Sequence, residues 1–188
     1  MTDQRKSHAL QRLANLADAC PVVLIDTREQ APLRFDREAH GVLSSVTTIR
    51  TGDYSVAGCE DLLRIERKSL PDLAACCCRG SKTAEGERER FKRELVDLSQ
   101  FRFKWLLIVG SWQDLRAGNY KSGIEPSSVE GSLVSWNAGL VPVKQVDTPA
   151  QASNWLARIA WGCWQEHVAH RANRALRAWE QWTPSENG

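Results

Sequence analysis

The sequence contains no apolar run approaching the 18 or so residues that a membrane span requires. Its first twenty residues, MTDQRKSHALQRLANLADAC, lack the uninterrupted apolar core of a signal peptide. Together these absences argue against a membrane protein and predict a soluble, cytoplasmic one. The six cysteines, at 20, 59, 76, 77, 78 and 163, form no CxxC pair and have no histidine at zinc-like spacing, which points to free thiols in a reducing compartment. The adjacent Cys76, Cys77 and Cys78 would point about 100° apart on a helix, so they cannot close a metal site alone and read as small helix-filling residues. Charge of one sign is also scarce. With 25 basic and 23 acidic residues the formal net charge is only +2, so any attraction for a polyanion has to come from local clustering.

What is present fits one ordinary domain of 188 residues with a helical appendage. Leu10, Leu13, Ala14 and Ala17 predict an amphipathic helix within residues 1–20, stopped by Pro21. VVLID at 22–26 reads as a short buried strand ending in Asp26, followed by a loop and a second strand within 42–50. SLPDLAACCC predicts a helix with Ser69 as N-cap, Pro71 in its first turn and Asp72 favourable to its dipole. A charged helix follows, with Phe91, Leu95 and Leu98 as its core stripe. KWLLIVG is another buried strand, SWQDLRAG a short helix, SVEGSLVSWNAG a second helix opening at Ser127 or Ser128, and VPVKQV the last strand. This order predicts an α/β fold, a mixed central β-sheet flanked by helices.

The stretch GDYSVAGCEDLLRIERKSLPD, from Gly52 to Asp72, carries the chemistry. It reads as a hairpin, and a turn centred between Cys59 and Glu60 sets Asp53 opposite Glu66, with Cβ atoms roughly 5 Å apart. Side-chain alternation then gives Lys68 the face of Glu66 and turns Arg67 to the other face. Two opposed carboxylates repel unless a cation lies between them. Hard oxygen donors suit Mg²⁺ or Mn²⁺, which commonly take one or two carboxylates plus water and phosphate oxygens. A lysine beside such an ion fits metal-dependent phosphodiester hydrolysis.

Three blocks, IDTREQ at 25–30, TGDYSV at 51–56 and IERKSLPDL at 65–73, resemble in order and spacing the nuclease domain of XPF-type structure-specific endonucleases. The family pattern is Asp-x-Arg-Glu, then Gly-Asp-Tyr, then Glu-Arg-Lys followed by Asp, and the likeness covers roughly residues 21–147. It implies a restriction-endonuclease-like core that cuts one strand of branched or flapped DNA near single-strand to double-strand junctions. By this resemblance Asp53 and Glu66 look like metal ligands and Lys68 like the catalytic lysine. Asp26 and Glu29 complete the acidic rim, Asp26 as a further metal ligand, with Arg28 and Arg67 near phosphate or holding loops. Arg79, Lys82 and Arg88, which follow the hairpin, are expected to contact DNA phosphates.

The implied organisation is an N-terminal helix to residue 20, a nuclease domain over 21–147 and a helical extension over 148–188 that packs on the core. Five of the eight tryptophans lie in that extension, together with Arg171, Arg174 and Arg177. Core packing, a homodimer interface and a basic DNA-contacting helix compete as explanations for it. The chain has no room for the helicase region or tandem helix-hairpin-helix module of larger family members, so a self-paired nuclease, or one directed by a partner protein, is expected, nucleoid-associated if bacterial or phage. Two alternatives stay open: a catalytically inactive DNA-binding or dimerisation subunit, and a restriction- or RNA-type nuclease on the same fold.

Overall fold

A computed structural model describes residues 19–78, 82–120 and 122–181, together with residues 8, 11 and 15. Most of the expected N-terminal helix thus lies outside the described residues.

Six strands form one sheet: β1 (Val22–Asp26), β2 (Leu43–Thr47), β3 (Tyr54–Val56), β4 (Leu63–Ser69), β5 (Phe103–Val109) and β6 (Val143–Val146). Their spatial order is β2-β1-β3-β4-β5-β6. The sheet is mixed. β3 runs antiparallel to both β1 and β4, and the pairs β1 with β2, β4 with β5 and β5 with β6 are parallel. The short helix α1 (Arg37–His40) interrupts the loop expected before β2. Asp36 caps it, accepting the backbone N–H of Glu38 and Ala39.

The helices are α2 (Leu70–Cys77), α3 (Lys82–Ser99), α4 (Trp112–Ala117), α5 (Pro126–Gly139) and α6 (Pro149–Trp164), then a π-helical turn at Gln165–Ala169 and α7 (His170–Gln181). Ser69 and Ser111 cap α2 and α4, each accepting the N–H of an aspartate three residues on. α5 starts at Pro126 rather than at a serine cap, because proline fits the first helical position, where its missing N–H costs nothing.

Two apolar clusters hold the layers together, one on each side of the sheet. Val23, Ile25, Tyr54, Leu63 and Ile65 pack with Ala152, Leu156, Ala160 and Trp164 of α6. Leu106 and Ile108 pack with Leu73, Phe91, Leu95, Leu133 and Trp136 from α2, α3 and α5. The helix beginning at residue 149 is therefore a covering layer of the sheet. Among the described residues no helix is long and apolar enough to cross a membrane.

Candidate active site

β4 positions the chemistry by alternation. Leu63 and Ile65 face α6 in the first cluster, so Glu66 and Lys68 emerge toward α2 and α3. Across the hairpin Tyr54 pairs with Ile65, the register expected from a turn centred between Cys59 and Glu60. Asp53 lies just before β3, in a bend rather than in the strand. Its backbone N–H donates to the Ile65 carbonyl at 2.9 Å, and the Arg67 N–H donates to its Oδ2 at 2.7 Å. Gly52 makes this close approach possible. Its φ of 77° is a left-handed conformation, and a Cβ there would lie 3.0 Å from the Ile65 carbonyl oxygen.

The electrostatics of this corner are unbalanced. Burial and the Glu66 charge push the Asp53 carboxyl up to about 7. Burial likewise raises Glu66, only 8 % exposed, against the opposing pull of Lys68. Lys68 Nζ donates to Glu66 Oε1 at 2.6 Å. Burial alone would lower the lysine, but the Glu66 carboxylate outweighs it and the net shift is upward, so Lys68 is an ammonium at neutral pH. Two adjacent acids both raised above their ordinary range mark a site short of positive charge. Asp53 Oδ1 and Glu66 Oε2 accept no hydrogen bond among the described residues.

These hard oxygens fit Mg²⁺ or Mn²⁺, which fill their remaining positions with water and phosphate oxygens. Among the described residues no group of three or more His, Cys, Asp and Glu converges to form a fuller cage.

The other acids are engaged elsewhere. Asp26, 2 % exposed, accepts Arg28 Nε and the Arg28 backbone N–H on Oδ1 and the Ile49 N–H on Oδ2. Burial works upward on it, but the Arg28 bond and the backbone bonds outweigh that and hold its carboxyl below the usual range. Arg28 also donates to the Ile49 carbonyl at 2.6 Å, while its side chain stays 68 % exposed. Glu29 takes both arms of Arg67, Nε at 2.9 Å and Nη2 at 2.7 Å. This buried bidentate pair overcomes the burial of Glu29 and lowers its carboxyl.

Among the residues expected to touch DNA, Arg88 is half-buried. Its Nη1 donates to the Cys77 carbonyl and to Ser132 Oγ, both at 3.1 Å, and its guanidinium lies 5.8 Å from the Trp136 ring centroid. Arg79 and the side chain of Lys82 lie outside the described residues. Three neighbours of the site escaped the sequence reading. The Phe91 ring lies 4.9 Å from Lys68 Nζ, the Tyr54 hydroxyl accepts the Leu33 N–H at 2.9 Å, and the Glu94 charge acts on Glu66. Helical spacing marks Phe91 as core but is silent about which strand its ring meets.

The ERCC4 domain family model matches residues 25–159. XPF from Aeropyrum pernix, a solved structure, is similar with a TM-score of 0.57 at 18 % sequence identity. The match covers 74 % of this chain and 59 % of that one, and at such identity it speaks for the fold. Comparison with curated proteins finds no match. The hairpin blocks, the sheet order and the span of the family match agree: the chain belongs to the ERCC4 domain family, and it carries an XPF-type nuclease domain.

Proposed function

We propose that this domain is a divalent-metal-dependent DNA endonuclease that nicks one strand of branched or flapped DNA near a single-strand to double-strand junction. The observation that carries the reading is the buried Asp53 and Glu66 pair, both acids raised by burial, beside the Lys68 ammonium. Asp53 and Glu66 would hold Mg²⁺ or Mn²⁺, which as a Lewis acid polarises a phosphoryl oxygen and makes a bound water more acidic.

Because Lys68 is protonated, it serves as a donor and not as a base. It orients the attacking water or neutralises charge developing on the phosphate oxygens. Arg28, largely exposed beside this rim, is placed to meet the DNA phosphates. Asp26 and Glu29 hold the arginines that frame the site, and Asp26 would serve as a further cation ligand only on release of its bonds to Arg28 and Ile49. The products expected from the family resemblance are a 5′-phosphate and a 3′-hydroxyl. Arg79, Lys82 and Arg88 remain proposed phosphate contacts, Arg88 only if it leaves its bonds to Cys77 and Ser132.

Pairing with a second copy, or with a partner protein, is part of the proposal. β6, which ends the sheet among the described residues, supports it, where exposed Val134 borders an open depression lined by Trp112, Leu133 and Val143. A protein with this activity works on DNA inside the cell.

The test sets labelled 3′ flaps, forks, Holliday junctions, linear duplex and RNA side by side with Mn²⁺. Flap or fork nicking is expected. Asp53→Ala or Lys68→Ala should remove cutting while leaving flap binding intact, and equal losses of binding and cutting would overturn the assigned roles. Binding without cutting by the native chain would instead favour an inactive DNA-binding or dimerisation subunit.

A further inference from the structure

We propose that Phe91 is a positioning residue for Lys68, the face of its ring helping Glu66's carboxylate hold the ammonium at the site. The inference rests on the reading of Lys68 as the working cation of the nuclease.

Lys68 leaves β4 toward α3, where among the described residues its Nζ has two partners: Glu66 Oε1 at 2.6 Å and the Phe91 ring centroid at 4.9 Å. That separation lies within the range over which the negative face of an aromatic ring attracts a cation. The ring is fixed in place. Phe91 is 1 % exposed, and Trp136 packs edge-on against it with centroids 5.2 Å apart and planes at 78°. Leu95 and Leu98, on the same face of α3, are also fully buried and anchor the helix that delivers it.

The two partners differ in a way that matters for chemistry. Glu66 is an oxygen donor of the proposed cation site, so whatever that site holds competes with Lys68 for the carboxylate. A phenyl ring has no donor atom for a hard cation and keeps its hold on the ammonium regardless. Phe91 thereby does for the lysine tip what a carboxylate with two duties cannot do alone.

The decisive experiment leaves the shape of the core alone and alters only the ring's charge distribution. In the full chain, Phe91 is replaced by 3,4,5-trifluorophenylalanine, and in parallel by Leu and by Tyr. Thermal unfolding, kcat and KM on a flap substrate with Mn²⁺, and the NMR chemical shifts of the Lys68 ε-methylene protons in the metal-free chain are measured, with Lys68→Gln assigning the resonance. The trifluoro variant should keep the melting temperature and KM, lose about fivefold in kcat, and move the ε-methylene shifts toward free-lysine values as the ammonium drifts from the ring. Tyr, which keeps the π face, should retain more kcat than Leu.

A trifluoro variant with native kcat and native Lys68 shifts overturns the proposal, as does a Leu variant that turns over like the native chain. Should the native chain cut no substrate, the metal-free Lys68 shifts still decide whether ring and ammonium interact, and the failure falls on the nuclease reading alone.

Discussion

At the scale of single residues, Asp53 has the largest consequence. Its native pKa of about 7 lies above that of an aspartate in the unfolded chain, so the folded state binds the proton more tightly. The stability linked to this proton is fully present below pH 4 and is lost as pH rises through 7. Asp53→Asn keeps an oxygen able to accept the Arg67 N–H while removing the charge that repels Glu66. It is expected to stabilise the fold at pH 8 by about 1–3 kcal/mol, with no gain at pH 4, as read from denaturant midpoints at both pH values. Added Mn²⁺ should raise the melting temperature of the native chain but not of this variant. Glu29 behaves in the opposite sense. Its pairing with Arg67 lowers its carboxyl, so that contribution is present above the ordinary glutamate range and fades as pH falls through the lower native value. Arg67→Ala leaves the Glu29 charge buried without a partner and is expected to cost about 3–5 kcal/mol in chemical denaturation at pH 7.

At the scale of elements, the hairpin and its flanking turns decide the outcome. Gly52→Ala forces a left-handed conformation on a residue with a Cβ and presses that carbon on the Ile65 carbonyl. A loss of about 1–3 kcal/mol is expected. Nicking should fall more steeply than the melting temperature, because the displaced element is the one that carries Asp53. Much of this element was legible in advance. The position of Cys59 and Glu60 between two β-prone runs predicted the Tyr54 to Ile65 pairing, and the Ser69, Pro71 and Asp72 triplet predicted the start of α2. The bend at Asp53 was not legible, since it depends on a backbone contact with β4 that no local pattern encodes. Nor was the Arg88 clamp, because an arginine between glutamates on a helix reads as solvated until α5 brings Ser132 and Trp136 against it.

At the scale of the whole molecule, the sheet separates two apolar layers, and α6 supplies most of the cover on one of them. A chain stopped after Thr148 lacks Ala152, Leu156, Ala157, Ala160, Cys163 and Trp164, all buried in the cluster this helix forms with the sheet. Burying a single large apolar side chain contributes about 1.5–3 kcal/mol, so this loss rivals the whole stability of a domain. Such a chain is expected to show no cooperative melting by circular dichroism, whereas one stopped after Ala178 should keep it. The sequence placed the strands and the helix periods well because each rests on local patterning. It said less about how much α6 matters, since the period of a helix does not reveal which sheet face lies bare without it.

The alternation along β4 has an evolutionary reading. Leu63 and Ile65 cannot leave the apolar layer without exposing it, and a slip of one position would turn Glu66 and Lys68 inward beneath α6. Selection for a folded chain therefore guards the reactive groups as well, through aliphatic residues that never approach a substrate. Drift at Leu63 or Ile65 would displace Glu66 and Lys68 without touching either of them.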